Sequence, residues 1–286
     1  MANVHTLACP IASTELASAL ALPHLGPAME IIAVTSAEGA SAGCLCFGEP
    51  RDGNHANAVW ITSADAEHAD GSPVIASQSP RLDFIRALVH LRAAGHWPAS
   101  SPGEIAASAR IHPSAIVHDG AAIGPDCKIG PGAVIHASVR MGARVAVGAS
   151  TVLGHDGFGY QRQADGRPLH FPHLGALVVE DDVTIGNLCS VSRGTLDDTR
   201  IGQHSKIDDQ AYVAHNVVIE DSVLVMSGVR LNGRARVGAA SWLGTGALVR
   251  EGCTVGQGAT VGMGSVVIAS VAAGAVVAGN PARVLR

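Results

Sequence analysis

Aromatic residues are scarce in this chain of 286 residues, where Phe, Tyr and Trp together make up 3%. A core with so few rings must be assembled from small and aliphatic side chains at regular positions. Charge is sparse too, at 15%, and the net charge of −5 argues against a general nucleic-acid binder. No stretch approaches the roughly 18 consecutive apolar residues of a membrane-spanning helix, so none is expected. The six cysteines (Cys9, Cys44, Cys46, Cys127, Cys189, Cys253) include no CxxC pair and are too few for a disulfide scaffold. Reduced thiols follow. The start, MANVHTLACPIAS, lacks a basic cluster followed by an apolar run; no signal peptide is expected, and the cytoplasm is the expected compartment. Glycine, by contrast, abounds at 34 residues, and a hydrophobic fraction of 47% excludes a disordered chain.

A six-residue period organises most of what is there. From Ile105 through Ile111, Val117, Ile123, Ile129, Ile135, Met141 and Val147 to Leu153, every sixth residue is aliphatic. The pattern resumes at Val179, Ile185 and Val191, slips by four residues, and runs again from Ile201 to Val267. Glycine often follows the aliphatic residue, and a small residue or Val stands two places before it. Six fits neither an amphipathic helix nor a hairpin meander. It fits the short strands of a parallel β-helix, in which each aliphatic side chain points inward and stacks on its equivalent in the next coil. Cys127, Cys189 and Cys253 occupy the small-residue slot, so plain packing is expected for them.

Residues 1–103 lack the period. A short helix opening near Ser13 or Thr14 is expected. So is a second one capped by Ser79, with Pro80 in its first turn, a face of Ile85, Leu88 and Val89, and an end at Gly95. EIIAVTS, GCLCF, NAVWIT and SPVIAS read as strands. The expected fold class is mainly β: a small α/β domain (1–103), joined by the Pro- and Ser-rich WPASSPGE to a β-helix (104–270), with a tail (271–286).

Departures from the repeat are where chemistry is expected. The segment between Leu153 and Val179 is too long and polar for a hexad and reads as a projecting loop; SRGTLDDT marks the frame slip; and KIDDQAYVAHNVVIED places His215 two residues after an inward Val213. The sequence resembles the UDP-3-O-acylglucosamine N-acyltransferase family in these three stretches. The residues concerned are Asp156-Gly157-Phe158-Gly159-Tyr160, Arg193 to Thr199, Asp208-Asp209-Gln210, and Ala214-His215-Asn216 with the residues that follow. EIIAVTSAEGASAGCLCF and SPRLDFIRAL in the amino-terminal region are similar as well.

That resemblance implies a left-handed parallel β-helix assembled as a homotrimer, with active sites between subunits and no metal. It also implies transfer of an acyl group, as in lipid A biosynthesis, from the phosphopantetheine of acyl carrier protein to the amine of a UDP-linked amino sugar. No cofactor is permanently bound. The family's general base corresponds to His215. Counting back 18 residues reaches Asp197, which is expected to orient the imidazole. Asn216, Asp209, Gln210, His155, the loop Asp156 to Tyr160, and Phe47 (against the nucleotide base) are expected to contact substrate.

The chain departs from the family at three points. PRDGNH offers no tyrosine to pair with Phe47, Gly252 stands where a second family histidine is expected, and GNPARVLR replaces a helical carboxy-terminal segment. That ending keeps open a nucleotide-sugar N-acetyltransferase using acetyl-coenzyme A for another surface glycan. A zinc hydratase of the same fold needs three converging imidazoles, and no suitably spaced histidine pair flanks His215.

Overall fold

The computed structural model describes residues 2–48, 57–64, 72–98 and 102–285. These form two compact units, one of residues 1–99 and 159–174, the other of residues 100–158 and 175–286. Pro50–His55, the PRDGNH stretch, and residues 99–101 of the linker lie outside the described residues.

The first unit is a six-stranded sheet with two helices. Its elements are β1 (Val4–Ala12), α1 (Ser13–Leu20), β2 (His24–Leu25), β3 (Glu30–Thr35), β4 (Cys44–Phe47), β5 (Val59–Thr62), β6 (Val74–Ala76) and α2 (Pro80–Ala93). Strand order is β1-β3-β4-β5-β6-β2, parallel from β3 to β6, with β1 and β2 antiparallel at the edges. β4, β5 and β6 are apolar runs buried almost throughout, as central parallel strands are. In α2 the buried face is Phe84, Ile85, Leu88 and Leu91, which recur at helical spacing. Val89, expected on that face, is instead 40% exposed because it lies a quarter-turn beyond Leu88.

The expected cap of α2 is also different. The Ser79 side chain makes no capping bond; Ser77 Oγ donates to Asp83 Oδ2 (2.6 Å) and accepts from Ser79 N–H (2.9 Å). Gly95, with φ of 78°, ends the helix as expected: His96 N–H returns to Leu91 O and Gly95 N–H to Arg92 O.

The second unit is the expected parallel β-helix. Three parallel sheets of ten, eight and seven strands line its sides, apart from one antiparallel strand at the carboxy-terminal edge. Lys128 pairs with Arg110 and with Ala146, each 18 positions away, so successive coils pair side by side. The inward residues from Ile123 to Val267 are buried, and form one continuous core. Stacking runs past residue 270: Val276–Ala278 pairs with Thr260–Val261, and Arg283–Val284 turns back on it.

The small-residue slot has its own chemistry. Ser205 Oγ donates to Glu220 O (2.8 Å) and Ser241 Oγ to Gly256 O (2.8 Å). In the same slot Cys127 Sγ donates to Gly142 O (3.1 Å) and Cys189 Sγ to Asp208 O (3.2 Å). Burial pushes both thiols above the usual cysteine range, which fits packing groups and not nucleophiles. No helix among the described residues is long and apolar enough to cross a membrane.

Candidate functional site

Hydrogen bonds converge at one corner of the coil stack, just after the strand Tyr212–Val213. The cause lies one coil earlier. Val191 pairs with Val213, 22 positions on, whereas Arg200 pairs with Val218, 18 positions on. Four extra residues therefore leave the coil between Val191 and Arg200. This excursion is stitched down at its base: Gly194 N–H donates to Ala176 O (3.1 Å), Gly175 N–H to Thr195 O (2.9 Å) and Ala176 N–H to Asp198 Oδ1 (2.7 Å). Arg193 adds Nε to Gly175 O (2.7 Å). A Cβ on Gly194 would lie 1.7 Å from Asp197 O, so only glycine permits the approach.

Asn216 joins this excursion to His215. Its backbone is left-handed (φ 59°), a conformation asparagine tolerates better than most side chains. Its Oδ1 accepts from Thr195 N–H (3.2 Å) and Thr195 Oγ1 (2.7 Å), while Nδ2 donates to Asp197 O (2.6 Å). Because Thr195 N–H only donates and Asp197 O only accepts, the amide has one consistent orientation. The same Oδ1 lies 3.0 Å from His215 Nδ1, so that nitrogen carries the proton. Nε2 is left with the lone pair. Above it sits Gly233, where an added Cβ would lie 3.1 Å from Nε2 and 3.0 Å from Cε1 of His215. A larger residue there would press on the ring.

The other expected site residues fall into three groups. Asp197 is half-buried beside this network, and its main-chain carbonyl is the atom that binds Asn216. His155 and Asp156 lie on the same edge of the stack: Arg193 N–H donates to His155 O (2.9 Å), and Arg193 Nη1 stands 4.0 Å from Asp156 Oδ1. His155 is committed at both nitrogens, to Asp156 O (2.8 Å) and Ser190 Oγ (2.9 Å). Gly157 is buried and Phe158 is 82% exposed.

Asp209 and Gln210 sit at the opposite end of the strand Tyr212–Val213 from His215. Asp209 Oδ1 accepts from Asn187 N–H (2.6 Å) and Nδ2 (3.0 Å), and Gln210 N–H donates to Asn187 O (2.9 Å). Nearness in sequence misleads here, because an extended strand carries its two ends apart. The third group belongs to the other unit. Gly159 lies against His173, Tyr160 opens a small hairpin beside His170 (ring centroids 5.0 Å), and Phe47 packs on Phe84 (4.6 Å).

From the sequence Thr195 stood out only as part of the Arg193–Thr199 stretch, and Gly233 only as a backbone N–H one coil above His215. A hydroxyl inside the frame slip, and a glycine 18 positions after His215, were the available signals.

Comparison with known proteins fits this picture. The family model described as bacterial transferase hexapeptide (six repeats) matches residues 103–137 and 120–155. UDP-3-O-acylglucosamine N-acyltransferase of Syntrophobacter fumaroxidans is 46% identical over 76 residues, 26% of this chain and 21% of that protein. Its namesake in Francisella tularensis subsp. holarctica is 47% identical over 70 residues, 24% of this chain and 21% of that protein. The matches thus span about a fifth of the length of these curated relatives. A solved UDP-N-acetylglucosamine acyltransferase from Campylobacter jejuni is 20% identical with a TM-score of 0.52, covering 63% of this chain and 73% of that one, a likeness of fold. Residues 103–155 match the hexapeptide-repeat model, and over the aligned stretches the chain is similar to the UDP-3-O-acylglucosamine N-acyltransferases.

Proposed function

We propose that the chain is an acyltransferase of the lipid A type, moving an acyl group, most simply 3-hydroxyacyl, from a phosphopantetheine thioester to the amine of a UDP-linked amino sugar. The carrier in this reading is acyl carrier protein, the working form is a homotrimer, and the compartment is the cytoplasm. One observation carries the proposal: the Thr195–Asn216 network that holds the imidazole of His215 and fixes its proton on Nδ1. Names of the matched relatives supply the substrate class.

The chemistry follows from that tautomer. A neutral amine attacks the thioester carbonyl and must lose a proton as the tetrahedral intermediate forms. Nε2 of His215 receives it, with an unperturbed imidazole pKa of about 6.5 suiting the exchange near neutral pH. As the ring gains charge, its Nδ1–H bond to Asn216 becomes charge-assisted and strengthens. Asp197 in this reading stabilises the imidazolium from one coil below. Collapse expels the thiol, to which the proton passes.

Acyl transfer to UDP-3-O-acylglucosamine is measured with 3-hydroxyacyl carrier protein and, separately, with acetyl-coenzyme A. Transfer from the carrier is expected, with a fall of roughly 10²–10⁴ in kcat for His215→Ala at unchanged thermal stability. Full activity in that variant, or preference for acetyl-coenzyme A, sinks the assignment of base or of donor respectively.

A further inference from the structure

A serine and a histidine meet on the coil stack apart from His215. His155 Nδ1 lies 2.8 Å from Asp156 O, and its Nε2 lies 2.9 Å from Ser190 Oγ. A main-chain carbonyl only accepts, so the neutral ring carries its proton on Nδ1. Nε2 then accepts the hydrogen bond that the Ser190 hydroxyl donates. Nucleophile, base and orienting group stand in the order that activates a hydroxyl. Leu153 pairs with Val191 and Val191 with Val213, which sets His155 two coils, roughly 10 Å, from His215.

The backbone explains the meeting. Side chains alternate along a strand, so strict alternation would send His155 into the core after Leu153. The strand Val152–His155 instead bulges at Gly154, whose φ is 82°, and the register shifts so that His155 pairs with Ser192. A Cβ on Gly154 would lie 2.4 Å from Val139 Cγ2 in the core, so glycine alone permits the bulge. The bulge turns the imidazole out to the face that carries Ser190, one residue before the buried Val191. On that face Ser190 lies between Val152 and Tyr212, and Val134 and Ile116 continue the row over the two preceding coils. From Ser190 to Ile116 is three coil spacings, roughly 14 Å, an apolar track suited to a medium-length acyl chain.

We propose that Ser190 and His155 form a second catalytic centre, a serine esterase dyad for acyl esters, with the acyl chain laid along Val152, Val134 and Ile116. Ser190 Oγ attacks the ester carbonyl carbon while its proton moves to Nε2. When the tetrahedral intermediate collapses, the bond to the leaving alcohol breaks and Nε2 gives that oxygen the proton. The acyl group stays as an ester on Ser190. Water then attacks this ester, Nε2 takes a proton from the water, and the carboxylic acid departs as the proton returns to Oγ. The sum is ester plus water to acid plus alcohol. Neither sugar nor carrier takes part, so the dyad stands or falls apart from the acyl-transfer reading.

The test incubates the full chain with p-nitrophenyl hexanoate, follows release of p-nitrophenol and maps acylated peptides by mass spectrometry. An acyl adduct on Ser190 is expected in the wild type, with turnover lost in Ser190→Ala. His155→Gln should slow hydrolysis roughly 10²–10⁴-fold at a retained melting temperature. A fluorophosphonate, which needs no variant, is expected to label Ser190 as well. Wild-type hydrolysis by both variants overturns the proposal. So does a wild type in which neither reagent modifies Ser190, or in which the adduct is confined to another side chain such as the exposed Cys9.

Discussion

Asn216 shows how much one side chain decides. Replacing it with Ala frees both Nδ1 of His215 and the Thr195 excursion, so the imidazole loses the partner that selects its tautomer. We expect kcat for acyl transfer to fall roughly 10- to 100-fold, with the acidic limb of the pH–rate profile displaced and KM for the sugar nearly unchanged. An Asp197→Ala variant measured beside it apportions the orienting role. If Asp197→Ala keeps full transfer while Asn216→Ala loses it, the amide alone orients the ring; equal losses implicate both. Gly233→Ala tests crowding instead, since its Cβ would stand 3.1 Å from the reacting nitrogen. The expected result is a lowered kcat with a normal melting temperature, because the methyl group meets the His215 ring and no backbone atom nearby. The cysteines make a contrasting case. Cys9 is exposed and the other five are buried, so an aromatic disulfide reagent should label one thiol quickly in the native protein and the rest after denaturant.

At the scale of the element, a coil is stabilised by its inward residue and by the neighbours that residue touches above and below. Ile207 pairs beside Ile185 and Val225 and is 2% exposed. Ile207→Ala should cost about 2–5 kcal/mol in denaturant unfolding, because a rigid stack closes poorly over the cavity. Exposed corners behave differently. Arg144 hydrogen-bonds to Asp182 and holds its carboxyl below the usual carboxylate range. That contribution is present above the unfolded carboxylate pKa of about 3.9 and fades as pH falls through the folded value. His136 follows the same sign higher up the scale: with its folded pKa lowered, stability is full above about 6.5 and declines on acidification, a slope that His136→Phe should flatten. The coils were legible in the sequence because each inward position is filled independently every six residues, so the period survives any single exception. The excursion was legible as a slip in that period. Its partner Asn216 was visible only as part of a motif, since nothing in a one-dimensional pattern says that Thr195 lies within 2.7 Å of it. Asp209 and Gln210 stand close to His215 in sequence but at the other end of its strand, and strand β1 went unread because an edge strand with a register shift between Thr6 and Ile11 has no clean alternation.

The whole molecule joins two units that were assembled by different rules. In one, α2 and the parallel strands β3 to β6 bury Leu45, Trp60, Phe84 and Leu88, a core of larger side chains with no repeat. In the other, a core of Val, Ile, Leu and Ala extends coil by coil, each in contact with its neighbours alone. That is why composition announced the second unit and said little of the first. It also explains why residues 159–174, which interrupt the coils in sequence, count with the first unit. Separate cores imply separate cooperativity. Calorimetric unfolding is expected to depart from two-state behaviour, with a van't Hoff enthalpy below the calorimetric one. Leu45→Ala, on β4, should lower one transition and leave the other in place, while Ile207→Ala does the converse. A single transition moved equally by both substitutions would mean that the two cores melt as one, and the division into units would then describe geometry without energetic meaning.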